Sequence, residues 1–461
     1  MILLQAISFA LGAGAAAPEL RPGEIAPTVV CQSDAKQSYA LYLPSSYLPS
    51  PGRRWPILFL LDARGRGPLG AEHFREGAEA HGYIVASSNN SAGDAPWEPN
   101  VAAMRAMWND THRRFSIDPR RVYAGGFSAG ARIACLLADV APGDITGVIG
   151  CGAGFPVNRP PRKDTPFLYF GAVGNTDFNY QEMRELDSAL ASLGLAHRLA
   201  VFEGGHAWPP PAVCREALAW MELSAMKRGV RPRDAALVES LARERLERAS
   251  ALEREKRLAE AHRLYLEIAE DFDGLLDVSV ARSGAGRLGA VREVREAEKE
   301  EARRDEKERR LSKQLYEKLA RAMDAEEPAP PQLVVHELGI AGLLRRTSAG
   351  SEVERLSAKR LIEALFVQAS FYLPQKYFER KDAPRASLGL EIAVALKPDL
   401  GSAWYNLACA RALSGEKRKA LAALRTAVER GFRDRAHIEE DSDLESLRGE
   451  KEYRAILGGI E

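Results

Sequence analysis

"RVYAGGFSAGARIACLLA", residues 121–138, decides how the first half of the chain is read. "RVYAGG" has the β-branched and aromatic content of a strand, "FSAG" is a turn, and "ARIACLLA" spaces its apolar residues as a helix does. Gly126-Phe127-Ser128-Ala129-Gly130 therefore straddles a strand-to-helix junction. A serine held there sits in a strained turn. Side chains two positions to either side would strike the neighbouring strand and helix, so both ends must be small. The helix that begins at the serine also points N–H groups and its positive dipole end at developing negative charge. The rival reading is a glycine-rich turn that only packs.

Working outward, residues 37–206 alternate short strand-like runs with helical stretches, which predicts βαβ units and a mostly parallel sheet. The strand runs are "SYALYL", "WPILFLLD", "GYIVASS", "RVYAGG", "ITGVIGCG", "PFLYFGAV" and "HRLAVFEG". Helical patterns separate most of them, and a last one, "AVCREALAWMELSAMKRG", closes the unit near Gly229.

Serine alone is a poor nucleophile, so a base and an orienting acid must follow. "VFEGGHAWPPP" puts His206 on a Gly-Gly loop just after the last strand. His73, His81 and His112 lie in or beside helical patterns, and His197 precedes its strand, at the wrong edge. "FLYFGAVGNTDFNYQEM" places Asp177 after the preceding strand; its structural alternative is to cap the next helix. Glu182 lies inside that helix and is the weaker partner. The expected triad is Ser128, Asp177, His206.

"YALYLPSSYLPS…RRWPILFLLD", "DPRRVYAGGFSAGARIA", "GAVGNTD" and "FEGGHAWP" together resemble the compact esterases of the α/β-hydrolase superfamily: polyhydroxybutyrate depolymerase-like, feruloyl-esterase-like and dienelactone-hydrolase-like proteins. The resemblance covers under half of the chain. It implies the nucleophile–acid–base order found here, and a His-Gly pair after the strand that supplies an oxyanion donor. This chain instead reads "LLDARGRGPLG", with Asp62 and Ala63 in that place. The hole needs backbone N–H groups, so the expected donors are Ala129 and either Ala63 or Arg64. Asp62 must turn away, to Arg64 or Arg66, or it would oppose the oxyanion. Only "FPVNRPPRKDTP" separates two strands where lipases often insert a cap, which favours an open site and small or polymer-borne esters. Trp97 and Trp208 sit on loops near the site, to stack on substrate or to pack.

With 461 residues the chain is too long for one core. Its 64 basic and 64 acidic residues leave no net charge and no footprint for nucleic acid. The N-terminal "MILLQAISFALGAGAAAPELRPGE" reads as a signal peptide over residues 1–17, with cleavage near Ala15–Ala17, although it lacks basic residues before its apolar core. That implies a secreted or periplasmic protein, and otherwise a cytoplasmic one. No segment reaches the ~20 apolar residues of a membrane span. The cysteines show no metal-type spacing: Cys135 and Cys409 read as core, while Cys31, Cys151 and Cys214 offer one disulfide in an exported chain. No cofactor or metal is expected.

The hydrolase domain is placed at 18–229. Residues 230–330 form a charged helical region, with either a long solvated helix or part of a coiled coil near 291–320, and "MDAEEPAPPQ" reads as a linker. Over 331–461, Ala386/Ala420, Leu390/Leu424 and Ala393/Ala427 each recur after 34 residues, which resembles a tetratricopeptide repeat. The fold class is thus an α/β-hydrolase domain followed by an all-α repeat region. The function expected is ester hydrolysis through an acyl-enzyme, with a protein or peptide partner at the repeats. Two rivals stand beside it: an inactive hydrolase domain in a repeat scaffold, and a serine peptidase using the same triad.

Overall fold

The computed structural model describes residues 20–50, 52–93 and 97–460, so the expected signal peptide lies outside the described residues. Eight strands form one sheet in the order β1-β2-β4-β3-β5-β6-β7-β8. They are β1 (Ile25–Cys31), β2 (Asp34–Tyr42), β3 (Trp55–Asp62), β4 (Ile84–Ser88), β5 (Ile117–Phe127), β6 (Gly147–Cys151), β7 (Leu168–Gly174) and β8 (His197–Phe202). β1 and β2 run antiparallel to their neighbours and the remaining strands are parallel. Every residue of β3 and β7 is buried, as expected for parallel strands covered on both faces.

Two helical layers provide that cover. α1 (Gly67–His81) and α5 (Pro211–Lys227) press Phe74, Ala78, Leu218 and Trp220 onto Leu58, Leu60 and Phe170. α2 (Trp97–Arg114), α3 (Ala129–Val140) and α4 (Tyr180–Ser192) pack Met107, Cys135 and Met183 onto the other face, against Phe59 and Val148. This is the α/β-hydrolase architecture. β3 lies between β4 and β5, so the winding direction reverses there, and the crevice beyond the carboxyl ends of β3 and β5 is where such sheets bind ligands.

The second half is helical throughout: α6 (Ala235–Arg254), α7 (Leu258–Phe272), α8 (Ser279–Gly289), α9 (Arg292–Asp324), α10 (Pro331–Glu337), α11 (Ile340–Arg346), α12 (Glu352–Val367), α13 (Leu373–Glu379), α14 (Ala383–Leu396), α15 (Gly401–Leu413), α16 (Lys417–Glu429), α17 (Arg435–Glu440) and α18 (Lys451–Gly458). Leu223 and Met226 of α5 share a core with Val238, Ile268, Phe272 and Leu288, so α6–α8 continue directly from the sheet domain. The charged stretch expected near 291–320 is the 33-residue α9. Its last turns bury Leu315, Leu319 and Met323 among Leu361, Leu365 and Ile392. Its middle is tied to α4 by Arg184 with Glu301 and Asp305, and by Arg309 with Glu185. All six residues of the 34-residue repeat are buried, on α14 and α16, with α15 packed against both helices.

All five cysteines are unpaired and buried. The disulfide considered for Cys31, Cys151 and Cys214 is therefore absent. Among the described residues no helix is long and apolar enough to cross a membrane.

Candidate active site

The residue after β5 is Ser128, and its backbone is strained: φ is 56° and ψ is −122°. The strain persists because the neighbours leave no alternative. A Cβ on Gly130 would lie 2.0 Å from the Leu61 carbonyl oxygen, and one on Gly126 would lie 2.5 Å from the same oxygen. Ser128 N–H donates to the Cys151 carbonyl at 2.8 Å, and α3 begins at the next residue. The hydroxyl is thereby presented at the carboxyl edge of the sheet.

Two loops deliver the partners. Ser128 Oγ lies 2.9 Å from His206 Nε2. His206 Nδ1 lies 2.9 and 3.0 Å from the two Asp177 carboxylate oxygens. The arrangement is satisfied by one tautomer, in which Nδ1–H donates to Asp177 and Nε2 accepts from the serine. Asp177 is fully buried and also accepts from the Asn179 N–H at 2.8 Å. Its alternative role as a helix cap is not taken up, because α4 starts behind Asn179. Glu182 pairs with Arg132 at 2.8 Å instead. The three side chains expected to act together are brought together.

The imidazole is held between two rings, Phe127 with its centroid 4.6 Å away and Phe178 at 4.2 Å. Neither ring was singled out in the sequence, although Phe127 lies beside the serine and Phe178 beside the acid. Asn179 anchors the acid loop by donating from Nδ2 to the Gly152 carbonyl at 2.7 Å.

Asp62 turns away from the serine, as its position demands. Its Oδ1 accepts from Arg64 N–H at 2.8 Å and from Arg66 Nε at 2.9 Å. Its Oδ2 accepts from Arg66 Nη2 and Trp208 Nε1, each at 2.8 Å. Burial alone would raise this carboxyl, but Arg66, the Arg64 N–H and Trp208 outweigh it and hold the group below the usual carboxylate range. Two expectations change as a result. The Arg64 N–H is already engaged, which removes it as an oxyanion donor and leaves Ala63. Trp208 is buried against Phe127 and Phe74, so it is the tryptophan that packs. Trp97 opens α2 and is partly buried against the core on that face.

Ala63 and Ala129 converge. A Cβ on Gly93 would lie 2.7 Å from the Ala63 Cβ and 3.2 Å from the Ala129 Cβ. The Asp62 carbonyl accepts from Ser91 Oγ at 2.9 Å and Gly65 N–H at 3.1 Å, which fixes the Asp62–Ala63 peptide and points the Ala63 N–H the opposite way. Among the described residues neither the Ala63 nor the Ala129 N–H donates to a backbone carbonyl. The one group with metal-ligand spacing among them is Cys409, Asp441 and Asp443, in the C-terminal helices. There Asp441 already accepts from the Tyr405 hydroxyl, the Asp443 N–H and the Cys409 thiol.

No family model and no curated protein matches the chain. Solved structures similar to it include a ferulic acid esterase, at 15% identity and a TM-score of 0.36 over 43% of this chain and 97% of that one. An S-formylglutathione hydrolase from Staphylococcus aureus is 13% identical over 44% and 98%, with a TM-score of 0.35. Esterase 2 of Thermogutta terrifontis, phosphonylated by sarin, is 14% identical over 47% and 99%, with a TM-score of 0.33.

Proposed function

We propose that this protein is a serine-dependent carboxylic ester hydrolase. The single observation that carries the reading is the unbroken chain from Ser128 Oγ through His206 to the buried Asp177, with the serine on a strained strand-to-helix turn. Ser128 attacks the acyl carbonyl while His206 Nε2 takes its proton. Asp177 keeps the imidazole in the required tautomer and stabilises the imidazolium. The N–H groups of Ala129 and Ala63 are placed to receive the tetrahedral oxyanion. His206 then returns the proton to the leaving alkoxide, and water, activated by the same imidazole, releases the acyl group.

The short connection between β6 and β7 supports an open cleft and esters that are short-chain, aromatic or attached to a polymer. The buried repeat positions on α14 and α16 support a tetratricopeptide-like surface for a protein or peptide partner. An inactive hydrolase domain loses its main motive once Asp62 is accounted for, because that charge is absorbed by Arg66 and Trp208. Labelling with a fluorophosphonate probe tests the reading, followed by hydrolysis rates on short-chain, aromatic and long-chain esters and on peptides. Wild-type protein is expected to label at Ser128 and to hydrolyse esters faster than peptides. Ser128→Ala is expected to lose labelling and at least about 10³-fold in kcat. Equal behaviour of the two proteins would end the proposal.

A further inference from the structure

The loop that carries Asp177 is held from the helical half of the molecule. Arg360, on α12, donates from Nη1 to the Asn175 carbonyl at 2.8 Å. The other edge of its guanidinium, Nε and Nη2, donates to the two Glu308 oxygens of α9, each at 2.6 Å. The group also lies over the ring of Tyr180, the first residue of α4, at 4.4 Å from the centroid. Arg360 and Glu308 are both buried. A buried ion pair gains little stability over two apolar side chains of the same volume. What this pair adds is geometry, since its fork and ring contacts fix the remaining N–H on one backbone oxygen.

That oxygen belongs to a decisive peptide. Its carbonyl, of Asn175, takes the arginine, and its N–H, of Thr176, donates to the Gly204 carbonyl at 2.9 Å. Thr176 Oγ1 donates to the same Gly204 oxygen at 2.8 Å. Asn175 N–H donates to the Phe202 carbonyl at 2.8 Å, and Gly204 N–H donates back to Asn175 Oδ1 at 3.2 Å. Asp177 is the next residue on one side, and Gly204-Gly205 leads into His206 on the other. Rotation of this peptide shifts the carboxylate and the imidazole together.

We propose that Arg360 is a positioning residue for the catalytic triad, so that the helical half completes the active site of the hydrolase. The proposal rests on the ester-hydrolase reading and adds a requirement that reading alone does not contain. Misplacement by about 1 Å can cost about 100-fold in rate without loss of binding.

The test uses the full chain as Arg360→Gln, Arg360→Lys and the double variant Glu308→Gln/Arg360→Gln, which removes the buried charges together and guards against simple misfolding. Arg360→Gln and the double variant are expected to lower kcat by about 10- to 100-fold with KM within about threefold. Ser128 labelling should slow in the same ratio, and Arg360→Lys, which keeps the charge but not the fork, should recover only part of it. Amide hydrogen exchange at Thr176 should speed up in the glutamine variants. Folded glutamine variants with wild-type kcat and wild-type exchange at Thr176 would overturn the proposal. If the wild type neither labels nor turns over any ester, the hydrolase reading fails on its own. Exchange at Thr176 then still decides whether Arg360 holds the loop.

Discussion

Asp62 is a carboxylate with no solvent exposure at the end of β3, next to the place where negative charge would develop in the proposed reaction. It is tolerated there because Arg66, the Arg64 N–H and Trp208 take up its acceptor capacity on the side away from Ser128. The same bonds tie the loop after β3 to the segment just beyond His206. Asp62→Asn keeps the shape, removes the charge and turns an NH2 group towards one pair of its donors, either the Arg64 N–H and Arg66 Nε or Arg66 Nη2 and Trp208 Nε1, at a cost of about 2 kcal/mol. The sign of its pH dependence follows from a folded pKa depressed below the ordinary value. The contribution is complete above the unfolded value of about 3.9 and is lost as pH falls through the folded value. Urea unfolding of wild type and Asp62→Asn should therefore differ most at pH 5 to 7, with the gap narrowing towards pH 3. A gap of constant size would show that the carboxylate charge is not what the clamp uses.

At the scale of elements, the turn between β5 and α3 was legible because sterics leave only glycine beside the Leu61 carbonyl, at Gly126 and Gly130. β2 to β8 were legible from their β-branched runs, and the loops after β7 and β8 from the need of a serine for an acid and a base. β1 was not, since Pro27 and two breaks in its register against β2 spoil the alternation that marks a strand. The outward turn of Asp62 was legible as a necessity, but its choice of Trp208 was not. That indole packs across 146 residues of sequence, and only the finished sheet brings the two together. Gly152, at the end of β6, tests how tightly the elements frame the histidine. Its φ is 68°, and a Cβ there would lie 3.2 Å from His206 Cε1 and Nδ1 and 3.1 Å from Phe127 Cε2. Gly152→Ala should cost about 1–2 kcal/mol for the left-handed backbone. It should also lower kcat by about tenfold or more by displacing the imidazole. Kinetics and thermal unfolding on the same sample check both, and an unchanged kcat would mean that the ring has room the packing denies.

Across the whole molecule, the sheet domain and the helical half are joined by buried charge as well as by apolar surface. Asp271, at the end of α7, is buried and accepts from Arg198 of β8 at 2.6 Å, from Trp220 of α5 at 3.0 Å and from Arg245 of α6. Four elements from both halves thus meet on one carboxylate, while Leu223 and Met226 of α5 already share a core with α6 and α7. Such a junction couples the two halves: opening either one strands charges that the other had satisfied. Asp271→Ala removes the nearest acceptor of two largely buried guanidinium groups and leaves Arg198 to Glu270 and Glu267 and Arg245 to Glu216, a loss of about 1.5–3 kcal/mol. The cost falls mainly on the junction, because Asp271, Arg198 and Arg245 lie outside the cores on either side of the sheet and around α14–α18, and only Trp220 also belongs to one of them. Calorimetry of the wild type is expected to show α5–α8 unfolding together with the sheet. In Asp271→Ala the helical transition should move to lower temperature and separate from that of the sheet. A variant that unfolds in one transition at the wild-type temperature would show that apolar contact alone carries the coupling.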